Sequence, residues 1–170
     1  MTTSLDRQSL DEVWAWLAQV PDPEIPAVSV VDLGIVRDVR WADDELVVAI
    51  TPTYSGCPAT SVIALDVEAA LRAQGIDRVR IERRLSPPWT TDWITPDGRR
   101  RLEAYGIAPP AERTEAPSPL DRFLRKPPVI ACARCASTNT QRISEFGSTP
   151  CKAQYRCSAC LEPFDYFKCL

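Results

Sequence analysis

The residues best equipped for chemistry are seven cysteines, in a chain of 170 residues that contains no histidine. Four of them form two close pairs, Cys132-Ala-Arg-Cys135 and Cys157-Ser-Ala-Cys160, with 21 residues between the pairs. A two-residue spacer lets one turn aim both sulfurs at one point, so four thiolates can converge on a metal. Either structural zinc or an iron-sulfur centre satisfies such a set. Neither pair is followed by the glycine that often relaxes a metal knuckle; Ala136 and Leu161 stand there instead. Cys151 and Cys169 fall outside the double pair and read as small buried residues, as alternative ligands, or as a redox pair near the metal.

The seventh, Cys57, sits in YSGCPAT (54–60), between the strand-like LVVAIT (46–51) and the helix-like SVIALDVEAALRA (61–73). Pro58 suits the first position of a helix, which puts Cys57 at the N-cap, where unsatisfied N–H groups and the positive dipole end favour a thiolate. Such a sulfur is a nucleophile or a soft-metal ligand; the alternative is a buried cysteine that closes a strand. Upstream, VPDPEIP (20–26) carries Asp22 and Glu24 on a backbone stiffened by Pro21, Pro23 and Pro26. Those carboxylates are candidate auxiliary oxygen ligands for a metal at Cys57, or ordinary turn-forming and solvated acids. Asp32 reads as a turn former, with Gly34 supplying a positive φ.

The missing histidine excludes a Ser-His-Asp triad, a Cys-His pair and a histidine-ligated catalytic zinc. No acid/base pair, phosphate-cradling glycine loop or cofactor fingerprint is present, so the chain reads as a non-catalytic protein.

These residues must be positioned by the elements around them. Ser9 and Glu12 make a capping box before Leu10, Val13, Trp14 and Leu17, which predicts a helix over 9–20 stopped by Pro21 and Pro23. IVRDVRW (35–41) and LVVAI (46–50) flank an acidic turn and read as a hairpin. Helix 61–73 ends before Gly75, and VRIERRL (79–85) reads as a strand with Val79 and Ile81 opposite Arg80 and Glu82. Thr95-Pro96-Asp97 opens a short helix over 96–105 that Gly106 ends. Trp89 and Trp93 read as a lid on a small sheet or as a binding surface. The prolines of 108–128 describe an extended linker. The remaining 42 residues, 129–170, bury too little to fold without a staple, and the cysteine quartet supplies one. QRISEF and AQYR give the ribbon hairpin; Phe164, Tyr166 and Phe167 pack its core or, alternatively, stack on nucleic-acid bases. The expected organisation is therefore an α/β (α+β) domain over 1–107 with a small mixed sheet, a linker over 108–128, and a four-cysteine β zinc ribbon over 129–170.

An apolar content of 45% is that of a folded protein. Residues 1–124 hold 13 Lys/Arg against 20 Asp/Glu, and residues 125–170 hold 7 against 3. That split permits association with another copy, with an acidic protein or weakly with nucleic acid, the last disfavoured by an acidic chain. The start, MTTSLDRQSLDEVW, lacks the basic and apolar regions of a secretory signal, and no run approaches a membrane span. The chain thus reads as cytoplasmic, where thiols stay reduced and cysteines serve as ligands or reactive groups rather than disulfides.

DPEIP (22–26), VDLGIV (31–36), TPTYSGCPAT (51–60) and PPW (87–89) together resemble the small α/β domain shared by SufT-like proteins and the cytosolic iron-sulfur targeting factors. The continuation WTTDWITPDGRRRLEAYGIAPP, with CARC, SEFGSTPCKAQYRCSAC and FDYFKC, resembles the PaaD-type proteins encoded with the multicomponent phenylacetyl-CoA epoxidase of aerobic phenylacetate degradation. The resemblance implies an accessory subunit that assembles or delivers an iron-sulfur or iron cofactor to the oxygenase or reductase. It makes Cys57 the reactive or cluster-binding thiol and sets Cys151 and Cys169 within family-like strings. Its implied partners are the epoxidase subunits and the iron-sulfur assembly machinery. Because one thiolate cannot cage a cluster, a homo-oligomer is expected. Two further readings stay open: an iron-sulfur electron carrier of the oxygenase, and a nucleic-acid-binding ribbon.

Overall fold

The computed structural model describes residues 8–110 and 129–168. They form two compact units that divide between Trp89 and Thr90.

In the first unit, α1 (Leu10–Leu17) starts at the expected capping box. Glu12 N–H donates to Ser9 Oγ at 3.2 Å, and Ser9 N–H donates to the Glu12 carboxylate at 2.9 Å. These bonds hold the Glu12 carboxyl below its ordinary range. Val13 and Leu17, one turn apart, are buried. Strand β1 (Val36–Ala42) pairs antiparallel with β2 (Glu45–Ile50), with Ala42 opposite Glu45. The chain reverses tightly between them because Asp43 adopts a left-handed φ of 51°, a conformation aspartate tolerates. Helix α2 (Ala59–Ala73) carries the chain from β2 to β3 (Val79–Arg83), which lies parallel to β2, giving the order β1-β2-β3. Ile63, Val67 and Leu71 of α2 are buried, and Gly75 reverses the chain with a φ of 87°.

Every residue of β2 from Leu46 to Ile50 is buried, as a central strand requires. Val48 shares a sheet face with Val39 and Ile81, while Val47 and Ala49 share the other with Arg40, Arg80, Asp38 and Glu82. On that second face the charges satisfy one another. Arg40 binds Asp38 at 2.7 Å and Glu82 at 2.8 Å, and Arg80 binds Glu45 and Glu82 at 2.7 Å each. Trp89 is buried and donates from Nε1 to Leu33 O at 2.9 Å, so this ring serves packing.

The second unit begins with a 3-10 turn (Thr91–Trp93) and α3 (Pro96–Tyr105). Gly98 N–H donates to Thr95 Oγ1 at 2.9 Å, and Gly106 ends the helix with a φ of 93°. Strands β4 (Ile107–Ala108), β5 (Thr140–Ser144), β6 (Lys152–Cys157) and β7 (Pro163–Phe167) make a sheet of order β4-β7-β6-β5. β4 runs parallel to β7, which groups α3 and β4 with the ribbon sheet, whereas the sequence pattern attaches 90–107 to the first domain. Tyr155 lies 5.8 Å from Phe164 and 5.7 Å edge-on from Tyr166 between ring centroids. With Ala108, Ile130, Ala153 and the sulfurs of Cys132 and Cys157 these rings make a small core. Phe164, Tyr166 and Phe167 are buried, so they pack rather than offering faces to bases. Of the expected linker, 111–128 lies outside the described residues.

Candidate metal centre and corner thiol

The knuckles are built by backbone reversals. In the first, Ala136 N–H donates to Cys132 O and Cys132 N–H to Ser137 O, both at 2.9 Å. In the second, Cys157 N–H donates to Glu162 O at 3.0 Å. Each loop turns through a left-handed residue, Ala136 at φ 57° and Leu161 at φ 65°, in the positions where glycine is absent. The exposed pair Arg134–Glu162, 3.7 Å apart, links one knuckle to the other.

The result is one group of four sulfurs, all within 4.8 Å of one another. Cys132 Sγ lies 3.8 Å from Cys160 Sγ, and Cys135 Sγ lies 3.6 Å from Cys157 Sγ. A tetrahedral ion with metal-sulfur bonds of ~2.3 Å requires sulfur-sulfur edges of about 3.8 Å. The quartet meets that requirement. The distances are far too long for disulfides, whose S–S bond is about 2.05 Å, and the six described cysteines are free. A cluster would interpose several irons and sulfides and spread the thiolates further apart than these edges.

The electrostatics also call for a cation. Cys157 is drawn down to about 6, first by the Cys160 backbone N–H against the cost of burial, with the Ala159 N–H and neighbouring thiols assisting. For Cys135 the Ser137 backbone N–H pulls downward, but Cys160, burial, Cys157 and Cys132 outweigh it and push the thiol up to about 12. Cys160 is raised as well: the Glu162 N–H lowers it, and burial with Cys157 and Cys132 more than offsets that. The knuckles support one thiolate unaided, and four need a positive centre.

The corner thiol is built differently. The helix proper starts at Ala59 with Pro58 in the cap position, so Cys57 sits one residue earlier than expected. Pro58 nonetheless has helical dihedrals (φ −67°, ψ −26°), and Thr60 donates to Cys57 O from N–H at 3.2 Å and from Oγ1 at 2.8 Å. Cys57 N–H donates to Tyr54 O at 3.1 Å. Cys57 is 9% exposed, flanked by the exposed Gly56 and Pro58. Arg83 Nη2 donates to Ser55 O at 2.8 Å and ties this loop to the end of β3. That clamp spans 28 residues of chain, and no local signal could have marked it.

Asp22 is buried, and its Oδ1 accepts from Glu24 N–H at 2.9 Å and Ile25 N–H at 2.8 Å, the work of a turn former. Glu24 is half-buried. Among the described residues the quartet is the one group of three or more donors arranged for a metal, so Cys57, Glu24 and Asp22 do not make such a group by themselves. Asp32 behaves as expected: its carboxylate accepts from Ser29 N–H, Ser29 Oγ accepts from Asp32 N–H, and Gly34 has φ 64°. Cys151 is buried outside the quartet, its sulfur 3.0 Å from Thr149 Oγ1. Cys169 lies outside the described residues.

A small mixed α+β domain joined to a four-cysteine ribbon defines a two-part metal-handling protein. Residues 10–82 match the family described as iron-sulfur cluster assembly protein, and residues 116–168 match the PaaD zinc beta ribbon domain. The chain is 50% identical over 159 residues to an Escherichia coli (strain K12) protein named as a subunit of 1,2-phenylacetyl-CoA epoxidase, covering 94% of this chain and 92% of that one. It belongs to the PaaD family. A Porphyromonas gingivalis (strain ATCC BAA-308 / W83) protein named "Fe-S protein maturation auxiliary factor" is 33% identical over 97 residues, covering 56% of this chain and 91% of its own. Among solved structures, a domain of unknown function, DUF59, from Bacillus anthracis superposes with a TM-score of 0.50 at 28% identity, covering 54% of this chain and 89% of that one. Among the described residues no helix is long and apolar enough to cross a membrane.

Proposed function

We propose that this chain is an accessory protein of a phenylacetyl-CoA epoxidase system in aerobic phenylacetate degradation, assembling or delivering an iron or iron-sulfur cofactor to the oxygenase or reductase. The observation that carries the reading is the joining, in one chain, of an iron-sulfur assembly domain to the PaaD ribbon, along nearly the full length of a relative named for the epoxidase.

In this reading the two sulfur sites divide the work. Cys132, Cys135, Cys157 and Cys160 hold a structural zinc; four protein ligands leave no open position, which suits a staple rather than a catalyst. Their edges favour a single ion over a cluster, which counts against the electron-carrier alternative. Cys57 receives the cargo. Its backbone is already satisfied by Tyr54 and Thr60, and the Arg83 clamp holds the loop, so the thiol can bind and release without rebuilding the turn. One thiolate does not complete the coordination of iron, so a second donor comes from another copy of the chain or from the client, with Glu24 the nearest candidate in sequence.

The test is to mature the oxygenase and reductase in cells with the chain, without it, and with Cys57→Ser, then to measure iron content and turnover of the purified components. Iron-deficient components from the last two, and full turnover from separately matured components with the chain left out of the assay, are expected. A strict requirement for the chain during turnover overturns the maturation role. A coloured, redox-active quartet in place of about one zinc per chain overturns the ribbon assignment.

A further inference from the structure

The four sulfurs are not equivalent. Cys132 and Cys157 are 2% and 0% exposed, whereas Cys135 and Cys160 are exposed. Each knuckle thus contributes one shielded and one open sulfur. The short contacts cross between knuckles and join an open sulfur to a shielded one: Cys135 to Cys157 at 3.6 Å and Cys160 to Cys132 at 3.8 Å.

We propose that Cys135 and Cys160 are oxidation sites for a hydroperoxide-class reagent, and that their reaction closes the disulfides Cys135–Cys157 and Cys132–Cys160 and expels the metal. This rests on the metal-staple reading above. Thiolates held in a metal site remain nucleophilic, and accessibility decides which reacts. The open sulfur attacks one peroxide oxygen, the O–O bond breaks, and a sulfenic acid and hydroxide form. The shielded sulfur beside it then attacks the sulfenic sulfur, forming the S–S bond and releasing a second hydroxide. For the whole site, four thiolates and two hydrogen peroxide molecules give two disulfides and four hydroxides; the thiolates are oxidised by four electrons that reduce the two peroxides. The ion loses all four donors and leaves as an aqueous cation.

Proximity sets the connectivity. The two-residue spacing in sequence would make within-knuckle bridges, Cys132–Cys135 and Cys157–Cys160, the default expectation, so the crossed pattern is a distinctive outcome.

The experiment uses the full chain, with metal content measured before hydrogen peroxide is added. A metallochromic dye follows release, differential alkylation with mass spectrometry follows each cysteine, and peptide mapping identifies the bridges. Expected are loss of alkylatable thiol at Cys135 and Cys160 at least roughly tenfold faster than at Cys57 or Cys151, the crossed disulfides, and one metal ion released per about two peroxides consumed. Within-knuckle bridges, or metal retained while Cys57 or Cys151 is oxidised, overturn this inference and leave the staple reading intact. A chain purified with no bound ion overturns the staple reading and this inference with it.

Discussion

Ala136→Gly and Leu161→Gly test whether the knuckles have the backbone described. Both residues hold a left-handed φ, 57° and 65°, where an L-side chain crowds the next carbonyl oxygen at about 1–2 kcal/mol. Glycine removes the crowding but adds roughly 0.4–1 kcal/mol of chain entropy to the unfolded state. Both side chains are exposed, so truncation leaves no cavity. The balance is a stabilisation of about 0.5–1 kcal/mol per site, or about two- to fivefold in any equilibrium coupled to knuckle formation. Metal binding is such an equilibrium. Competition of the zinc-loaded full chain against a graded chelator is therefore expected to show apparent affinity tightened by that factor in each variant. Ala131→Gly is the control: it is exposed and absent from the left-handed residues, so only the entropy term applies and affinity weakens. Looser binding in both knuckle variants, or no difference from the control, would refute the left-handed knuckles and the strain derived from them.

Removing the metal with a chelator is expected to abolish hydrogen-exchange protection of the β5, β6 and β7 amides, because a core of this size does not hold a sheet unaided; full protection in metal-free protein would contradict the staple. The Arg40 hydrogen bond, against some desolvation and with Arg80 assisting, lowers the Glu82 carboxyl below its ordinary 4.5. Its stabilising contribution is fully present above that value and is lost as pH falls through the depressed one. The urea midpoint of the first unit should therefore fall on acidification below about 4.5, and Glu82→Gln should flatten that fall; an unchanged slope would show the ladder to be inert. Trp89→Phe removes the donor to Leu33 O at a buried site and is expected to cost about 1–3 kcal/mol, read from the urea midpoint; a shift well under that range would mean water replaces the indole.

Elements fixed by neighbouring residues were legible in the sequence. Ser9 with Glu12, and Thr95-Pro96 with Gly106, bracket α1 and α3 through contacts three or four residues apart. The quartet was legible because its spacing states the chemistry. What failed was non-local. The pairing of Ile107–Ala108 with Asp165–Tyr166 depends on which edge of β7 is open, and two residues carry no periodicity of their own. Asp22 shows a different limit. A buried carboxylate that accepts two N–H bonds and one that ligates a metal look alike in sequence, and only the positions of Glu24 and Ile25 N–H distinguish them. Leu161 stands out in the sequence as a missing glycine, yet nothing local shows that a leucine would accept a left-handed backbone there.

The separation of the two sulfur sites has a physical logic that bears on the proposed delivery role. The quartet concentrates four ionisable thiols within 4.8 Å, so its stability depends on a cation and rises with the number of donors the cation gathers. A site of that kind retains its ion and is poor at handing it on. Cys57 is the opposite case: one thiol, slightly open, on a turn whose hydrogen bonds are complete without any ligand. A single donor binds weakly and exchanges readily when a client offers more ligands. Adding donors beside Cys57 is therefore expected to harm delivery while improving binding. Introducing Gly56→Cys, at an exposed position with nothing within 4 Å of a new Cβ, should raise iron retained per chain and lower iron passed to the oxygenase. A variant that both retains and transfers more iron would break the link between weak coordination and delivery.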